Sequence, residues 1–379
     1  MLWIWHAGVI AEYQKPLTAL ALYPGLDMTL LVPRRWPERA GQMVKAEGPV
    51  SQSYRLVKAS TLFTGFYYIY LFPTLLFQLL RYKPDIIYCY EEAHTFMSAY
   101  VLFLRRLFFR RATVLLYAAQ NIKKRYPPPF SMFERYCFRR ADALLACGTS
   151  VADTLRSKGY RRALHVVPLP TDTDAFAPDA QKRDAIRREL GVPPDALLVG
   201  YAGKLVEEKG LRTLWLAFGD LAAGCPNLHL VLVGGGPLKG ELMNAARACD
   251  LEDRLHMPGV IHNTDLPAYL NALDIFVLPS ETRSNWREQF GRVLVEAMSC
   301  GVPVVGSDSG EIPAVVGDAG LIFPEGSSAH LAANLTRLFD PTLRAELARK
   351  GRERVLHNFS LERVAAQHHD LYRNMNFEF

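Results

Sequence analysis

Cysteine is scarce in this chain of 379 residues, and its six cysteines are scattered without a C-x-x-C pair. This spacing argues against a zinc site or a disulfide framework and favours reduced thiols in the cytosol. The apolar start Met1–Ile10 lacks a basic n-region, so it predicts a first β-strand rather than a signal peptide. RNP, helix-turn-helix and zinc-finger signatures are also absent, and we expect no nucleic-acid partner.

Long apolar runs are missing as well, with one exception, Thr61–Leu80, which is long enough to span a bilayer. Polar Thr64 and Gln78 interrupt this run, and Pro73 lies inside it. We therefore expect a helix that packs on its domain with an apolar face able to touch lipid, rather than a transmembrane span.

Acidic residues are few in the first half of the chain. Residues 1–170 carry 23 Lys and Arg against 10 Asp and Glu, a balance of +13, whereas residues 171–379 carry 21 against 28, a balance of −7. Basic residues interleave with aromatic ones in Arg105–Arg111. Such a surface suits an anionic leaflet or an anionic acceptor, and a solvated face is the simpler alternative. We expect a cytoplasmic protein, peripheral at the inner membrane.

Short apolar runs alternate with helical patterns along the chain, which predicts an α/β fold of parallel sheets covered on both faces. The alternation breaks after Val167, so we place two doubly wound domains at residues 1–170 and 171–359, with a C-terminal segment of about 360–379 packing back on the first. The predicted strands are Leu2–Trp5, Met28–Val32, Asp85–Tyr90, Thr113–Tyr117, Ala143–Cys147, Leu164–Val167, Leu198–Ala202, Leu228–Val233, Leu255–Met257, Ile275–Leu278 and Val302–Gly306.

Two strand ends in the second domain carry residues suited to a phosphate, and ligands of open parallel sheets bind beyond such ends. Gly203 and Lys204 follow one strand, with Lys209 five residues further on. The glycine lets a ligand approach the backbone, and the lysines can pair with a diphosphate. Three glycines, 234–236, follow the next strand, without a P-loop lysine or a complete G-x-G-x-x-G. Surface lysines and a tight βα turn are the alternative explanations.

A third strand end contains two carboxylates, Glu288 and Glu296, eight positions apart. A helix that begins near Gly291 would direct its N–H groups and positive dipole end at the anion bound by Lys204 and Lys209. Glu288 would then precede the helix and lie near the reacting sugar. Glu296 would reach hydroxyls further along the ligand.

The run E-Q-F-G-R-V-L-V-E-A-M-S-C-G-V-P-V-V, at Glu288–Val305, resembles the E-x7-E motif of the family 4 glycosyltransferases and its flanks. The turn G-K-L-V-E-E-K-G at Gly203–Gly210 resembles the diphosphate clamp of that family, and P-G-V-I-H at Pro258–His262 matches further along. In the first half the resemblance is weaker, through K-P-D-I-I-Y at Lys83–Tyr88 and R-R-A-D-A-L-L-A at Arg139–Ala146.

The resemblance implies a GT-B fold, two Rossmann-like domains facing a central cleft. It also implies retaining sugar transfer from a nucleotide diphosphate sugar, without a metal or other cofactor, in cell-envelope polysaccharide or glycolipid synthesis. By position, Lys204 and Lys209 would hold the diphosphate, Glu288 the donor sugar and Glu296 the ribose. UDP and GDP donors stay open, as do lipid-linked, glycan and small-molecule acceptors. Further donor contacts implied are Gly203, Phe290, Gly291, Arg292, Val293, Gly235, Val260 and Ile261.

The first domain departs from the family pattern at two strand ends. Gly8 lies in an H-A-G run where many relatives have a glycine pair, and Gln120 stands where many have a histidine near the reacting sugar. Gln120 can donate a hydrogen bond but is neither acid nor base, which puts a protein base in doubt. Glu92, His94 and Asn121 follow strands as well and complete the candidate acceptor or sugar contacts, although a loop histidine is usually structural.

Other functions fit parts of this pattern. A nucleotide-sugar epimerase of GT-B fold would lack the second lysine of the clamp and would need acid and base carboxylates in both domains. A phosphorylase would need a pyridoxal site, which nothing in the sequence marks. A non-catalytic sugar-nucleotide binding subunit would keep the fold without turnover; Glu288 argues against it, and Gln120 leaves it open.

Overall fold

The computed structural model describes residues 1–38 and 41–375. The chain forms two compact units, one from Met1–Pro168 with the segment that begins at Leu361, the other from Leu169–Ser360. The described strands are β1 (Leu2–Ile4), β2 (Thr29–Pro33), β3 (Arg35–Glu38), β4 (Gln42–Lys45), β5 (Arg55–Ala59), β6 (Ile86–Cys89), β7 (Thr113–Ala118), β8 (Ala143–Ala146), β9 (Ala163–Val166), β10 (Leu197–Ala202), β11 (Leu228–Val233), β12 (Leu255–Gly259), β13 (Ile275–Leu278), β14 (Val304–Ser307) and β15 (Gly320–Phe323).

The α-helices cover the strands of both units. In chain order, the described ones are α1 (Lys15–Leu20), α2 (Leu75–Tyr82), α3 (Phe96–Phe108), α4 (Phe130–Arg140), α5 (Thr149–Ser157), α6 (Ala180–Glu189), α7 (Leu211–Ala222), α8 (Lys239–Ala248), α9 (Leu266–Ala272), α10 (Arg292–Ser299), α11 (Ile312–Val316), α12 (Ser328–Arg337), α13 (Pro341–Asn358) and α14 (Leu361–Asn374).

The described part of the first unit contains a seven-stranded parallel sheet in the order β5-β2-β1-β6-β7-β8-β9. β1, β6 and β8 are buried along their whole length, which is why their sequences are apolar throughout instead of alternating. β3 and β4 form a separate antiparallel hairpin. α14 packs on α1, and the ring of His369 on α14 stacks on Tyr23, which follows α1, with 4.3 Å between the ring centroids.

The described part of the second unit contains a six-stranded parallel sheet in the order β12-β11-β10-β13-β14-β15. Each sheet reverses its strand order once, between β1 and β6 in the first unit and between β10 and β13 in the second. Ligands of doubly wound sheets bind beyond the carboxyl ends of the strands at such a reversal. The α/β prediction of two doubly wound parallel sheets is confirmed.

The prediction of one helix over Thr61–Leu80 is wrong, because only the stretch from Leu75 onward is helical. Leu62 and Leu71 instead form an antiparallel bridge around turns, and Gly65 has φ +87° there. The helix that remains, α2, exposes the apolar side chains of Phe77 and Leu80. Among the described residues, no helix combines the length and the apolar character that crossing a bilayer requires.

Candidate functional site

Lys204 and Lys209 lie after β10, on one side of the strand reversal in the second sheet. The hydroxyl of Tyr201 donates to the carbonyl oxygen of Lys204 at 2.8 Å and so shapes this turn. Gly210 ends the turn with φ +65°, and a Cβ there would lie 1.8 Å from the carbonyl oxygen of Pro279. A residue without a side chain is therefore needed, and its close approach sets Lys209 beside the segment that follows β13.

Lys209 is paired with Glu288 across the same reversal. Nζ of Lys209 donates to Oε2 of Glu288 at 2.6 Å, and Oγ of Ser280 donates to the same oxygen at 2.8 Å. Nζ also lies 4.7 Å from the ring centroid of Trp286, a cation–π distance. Glu288 is buried, whereas a fifth of the lysine side chain is exposed. These contacts therefore fix the lysine ammonium group in a defined place at the reversal.

Phe290 and Gly291 lead from Glu288 into α10, whose first residue is Arg292. Gly291 has φ +78° and ψ +48°, and Phe290 is buried. The carbonyl oxygen of Glu288 accepts the N–H of Glu311 at 3.2 Å, which ties this loop to the one after β14. The prediction of a helix beginning near Gly291 is confirmed. Because the first N–H groups of an α-helix have no intrahelical acceptor, this end of α10 suits an anion.

The remaining residues of the motif lie on α10 itself. Arg292 is exposed, and Val293 and Glu296 are half-buried. Glu296 lies on the second turn of the helix, whereas Glu288 lies in the loop before it. The two carboxylates therefore stand on either side of the helix start, as the spacing predicts.

Gly203 and Gly235 lie at the ends of the neighbouring strands β10 and β11. A Cβ on Gly234 would lie 1.9 Å from the carbonyl oxygen of Gly203, so the two turns touch through their backbones. A Cβ on Gly235 would lie 2.8 Å from a methyl carbon of Val260, whose side chain is 76% exposed. Ile261 packs partly buried against the core of the unit. The structure thus brings the predicted base-contact residues together.

Glu92 and Gln120 lie together in the first unit. Oε1 of Glu92 accepts the backbone N–H groups of Ala119 at 2.7 Å and Gln120 at 2.9 Å. Burial raises the pKa of Glu92 to about 7, although these two N–H groups oppose the shift. Oε1 of Gln120 accepts the N–H of Ile122 at 3.1 Å, and Asn121 is buried. Glu92 therefore stabilises the loop that follows β7 through two hydrogen bonds to its backbone.

His94 is buried, and its ring stacks on Tyr126 with 4.0 Å between the centroids and 16° between the planes. Burial, and then two lysine charges, lower the pKa of His94 to about 3. A neutral, stacked imidazole is typical of a structural group, and contact with an acceptor stays a prediction. Gly8 follows β1 and is buried; its carbonyl oxygen accepts a hydrogen bond from Nε2 of Gln14 at 2.8 Å.

Sequence reasoning passes over Glu91, the carboxylate next to Glu92. Glu91 is fully buried after β6, and its Oε1 lies 2.6 Å from Nδ1 of His6, which follows β1. The same oxygen accepts the backbone N–H of His6 at 3.1 Å and the hydroxyl of Tyr70 at 2.6 Å. The signal that could have found this pair is the strand order, because β1 and β6 are neighbours at the reversal of the first sheet.

Two sequence profiles of known families match the chain. Glycosyl transferases group 1 matches residues 182–354, and Glycosyltransferase Family 4 matches residues 25–175. The chain belongs to the family 4 glycosyltransferases. The Family 4 profile covers most of the first unit of this family 4 chain, and the group 1 profile covers most of the second.

Curated relatives of this family 4 chain include the 2-deoxystreptamine glucosyltransferase of Streptomyces kanamyceticus, 29% identical over 63% of this chain and 62% of that protein. The GDP-mannose-dependent alpha-(1-6)-phosphatidylinositol monomannoside mannosyltransferase of Mycobacterium tuberculosis (strain ATCC 25618 / H37Rv) is 31% identical over 57% of each chain. The chain therefore spans about three fifths of the length of these two relatives.

Solved structures share the fold over nearly the whole chain. Sucrose-phosphate synthase from Thermosynechococcus elongatus superposes with a TM-score of 0.73 at 23% identity, covering 99% of this chain and 98% of that one. The Anabaena protein HepE, solved in complex with UDP, superposes with a TM-score of 0.75 at 18% identity, covering 98% of this chain and 99% of that one. At these identities the likeness establishes the fold.

Proposed function

We propose that this protein transfers a sugar from a nucleoside diphosphate sugar to a hydroxyl group of an acceptor. The observation that carries the proposal is the contact of Lys209 with Glu288 beside the N-terminus of α10. In this proposal the ammonium group and the helix N–H groups stabilise the negative charge that develops on a departing diphosphate. Glu288, which fixes the ammonium, is proposed to contact the donor sugar.

The reaction exchanges one bond of the anomeric carbon for another. The bond to the diphosphate oxygen breaks, and its electron pair leaves with the nucleoside diphosphate. The acceptor oxygen forms the new bond and loses its proton. We further propose that the new bond forms on the face that the diphosphate leaves, which is the retaining outcome that the family 4 resemblance implies.

No divalent cation is needed in this scheme, because Lys209, Lys204 and the start of α10 supply the positive charge. Lys204 is exposed on the turn after β10 and can reach a bound diphosphate as a mobile point charge. Glu296, on the second turn of α10, is proposed to bind the ribose. Gly235 and Val260 lie together beyond β11 and are proposed to contact the base.

The donor is proposed to be linked to UDP or GDP. HepE was solved with UDP-glucose, and the Mycobacterium tuberculosis relative is named for GDP-mannose. For the acceptor, the names of the two curated relatives specify 2-deoxystreptamine and a phosphatidylinositol monomannoside. We propose an acceptor of one of these classes, a polyhydroxylated small molecule or a glycolipid head group.

A peripheral site on an anionic membrane is proposed for the first unit. α3 exposes the apolar side chains of Phe103 and Leu107, four positions apart on one helical face. Arg106 is exposed on the same helix, and the exposed Arg110 and Arg111 follow its end. An exposed apolar face with basic residues beside it is the arrangement expected for attachment to an anionic leaflet.

A nucleotide screen followed by a cleavage assay tests the proposed function. The thermal unfolding midpoint is measured with UDP, GDP, ADP and CDP, and each UDP- or GDP-sugar is then assayed for release of the nucleoside diphosphate. We expect either UDP or GDP to raise the unfolding midpoint, and the sugar donor linked to that nucleotide to be cleaved. Stabilisation by none of the nucleotides, together with cleavage of no sugar donor, would contradict the proposal.

A further inference from the structure

We propose that the indole ring of Trp286 positions the Lys209 ammonium group for the diphosphate of the donor. The ring keeps this group in place when the diphosphate draws it away from Glu288. Trp286 is thus a positioning residue that acts through Lys209. The proposal rests on the proposed function and deepens it, and it uses contacts within the second unit alone.

Trp286 lies on a short turn between β13 and α10. The backbone N–H of Arg283 donates to the carbonyl oxygen of Trp286 at 2.8 Å, and the N–H of Trp286 donates to the carbonyl oxygen of Arg283 at 3.3 Å. Ser284 and Asn285, at the tip of the turn, are exposed, whereas Trp286 is half-buried. Because backbone hydrogen bonds close this four-residue turn, the direction in which the Trp286 side chain leaves the chain is fixed.

Glu281 ties this turn to the segment that carries Lys209. The backbone N–H of Glu281 donates to the carbonyl oxygen of Glu208 at 2.9 Å. Its Oε2 accepts a hydrogen bond from Nη2 of Arg283, also at 2.9 Å. The turn with Trp286 and the turn with Lys209 are therefore joined by hydrogen bonds that do not depend on the contact between the indole ring and the ammonium group.

The Lys209 ammonium group lies against both a carboxylate and an aromatic ring. Nζ is 2.6 Å from Oε2 of Glu288 and 4.7 Å from the ring centroid of Trp286. Within residues 1–38 and 41–375, the side chain of Lys209 donates one hydrogen bond, to Glu288. An ammonium group has three N–H donors, and a fifth of this side chain is exposed. Lys209 can therefore donate to a phosphate oxygen as well.

A bound diphosphate would affect the two contacts of Lys209 differently. Phosphate oxygens compete with Glu288 for the N–H donors, because both are anionic acceptors. The ring of Trp286 attracts the cation through its quadrupole, so a phosphate does not displace it in the same way. Oγ of Ser280 also donates to Oε2 of Glu288, at 2.8 Å, and stays there when the ammonium group turns away. Glu288 then becomes available to a hydroxyl group of the donor sugar.

Nucleotide affinity in a double-mutant cycle tests the proposal in the intact chain. The Kd is measured for UDP or GDP, whichever raises the unfolding midpoint, in Trp286→Leu, in Lys209→Ala and in the double variant. We expect Trp286→Leu to raise the Kd about 3- to 30-fold when Lys209 is present. In the Lys209→Ala background the rise should be less than about twofold, because the ring acts through the ammonium group. Trp286→Phe should lie between wild type and Trp286→Leu.

Trp215→Leu is the matched control. Trp215 is a half-buried tryptophan of α7 that packs against the core of the same unit, with its ring centroid 5.7 Å from that of Phe218. This variant should lower the unfolding midpoint and leave the Kd for the nucleotide unchanged. An unchanged Kd in Trp286→Leu would overturn the proposal. An equal rise of the Kd with and without Lys209 would also overturn it, since Trp286 would then support the fold alone.

A second measurement needs no turnover. In protein labelled with ¹³C at the ε-carbon of lysine, the ring current of Trp286 should move the ε-methylene signals of Lys209 upfield. The signals are assigned with Lys209→Arg. The upfield shift should vanish in Trp286→Leu, remain in Trp215→Leu and persist when UDP or GDP is added.

The outcomes of these spectra separate the inference from the proposed function. An upfield shift that is missing in the nucleotide-free protein, or that disappears when the nucleotide binds, would contradict the role of Trp286. A wild-type protein that binds neither UDP nor GDP would instead contradict the proposed function, and the spectra of the nucleotide-free protein would still decide whether Trp286 holds the ammonium group.

Discussion

Nζ of Lys209 lies 2.6 Å from Oε2 of Glu288, and the two residues follow strands β10 and β13, which adjoin at the reversal of the second sheet. In the first sheet, Nδ1 of His6 lies 2.6 Å from Oε1 of Glu91, and these residues follow β1 and β6, which adjoin at the reversal of that sheet. Each unit thus has a basic side chain paired with a buried carboxylate at the reversal of its sheet. The second unit has an ammonium group there, which suits a diphosphate, and the first unit has an imidazole beside a carboxylate.

Sugar transfer should survive removal of divalent cations. The run Asp172-Thr173-Asp174 lies near the start of the second unit, where Oδ1 of Asp172 accepts the N–H groups of Asp174 and Ala175 and caps a turn. With excess EDTA, we expect the rate of donor cleavage to stay within about twofold of the untreated rate, because Lys209 and α10 take over the charge role of a metal. Loss of cleavage that manganese or magnesium restores would refute this.

Binding to anionic vesicles should depend on the arginines beside α3. Changing Arg106, Arg110 and Arg111 to serine should weaken binding by about 100-fold, since each basic residue at an anionic leaflet contributes about 1 kcal/mol. Arg105 is left in place, because it pairs with Asp142 at 3.1 Å and donates to the carbonyl of Ala112. Sedimentation with vesicles containing phosphatidylserine measures the effect.

The matched control for the membrane experiment removes three exposed arginines of the second unit. They are Arg247, Arg337 and Arg349. This variant should bind anionic vesicles like the wild-type protein and lose binding at high salt in the same way. Equal binding of wild type to neutral and anionic vesicles, or an equal loss in both variants, would leave the basic residues of the first unit as a solvated face.

Acidification should destabilise the protein partly through His94. The pKa of this buried ring is lowered to about 3, whereas an unfolded histidine titrates near 6.5, so the unfolded state binds more protons between these values. Stability is therefore lost as the pH falls through 6.5, by about 2 kcal/mol at pH 5 from this group alone. His94→Phe keeps a ring against Tyr126 and cannot bind a proton.

The unfolding midpoint of His94→Phe should therefore change less between pH 7 and pH 5 than that of wild type. The neighbouring Glu92, whose pKa is raised to about 7, contributes stability that is lost as the pH rises through 7, and it is common to both proteins. Parallel changes of midpoint with pH in the two proteins would show that His94 is not held neutral.

Gly210→Ala should damage both stability and donor binding. A Cβ there would meet the carbonyl oxygen of Pro279 at 1.8 Å, and the φ of +65° is unfavourable for alanine. The turn must shift, and Lys209 shifts with it. Gly219→Ala is the control: a Cβ on Gly219, in α7, would meet no described atom within 4 Å, so alanine should stabilise this helix slightly. Unchanged nucleotide affinity and midpoint in Gly210→Ala would contradict the packing argument.

Apolar strands that are buried on both faces could be predicted from sequence, because a continuous apolar run is enough to mark them. β5 was not predicted, because this edge strand mixes Arg55 and Lys58 with apolar residues and is mostly exposed or half-buried. β15 was not predicted either, because its apolar run is short and begins with Gly320. The helix predicted over Thr61–Leu80 fails because apolar composition carries no information on the turn at Gly65.

The donor side of the site could be predicted because its residues stand close together in the chain around a glycine turn and a helix start. The pairing of His6 with Glu91 could not, because it joins residues that are 85 positions apart. Glu91 and Glu92 are adjacent and chemically alike, and their different surroundings depend on how the chain leaves β6. Glu91 turns to His6 and Tyr70, whereas Glu92 turns to the loop after β7.

Turnover of the sugar donor by Lys209→Ala and Glu288→Gln, with Lys350→Ala as the control, tests the central claim most directly. Lys350 pairs with Glu346 on the surface of α13, so its removal should leave the rate unchanged. Losing one preorganised charge at the departing diphosphate is worth roughly 3–4 kcal/mol, and we expect each site variant to turn over about a hundredfold or more slowly while its unfolding midpoint shows an intact fold. Wild-type rates in either purified site variant would contradict the assignment of Lys209 and Glu288 to the donor site.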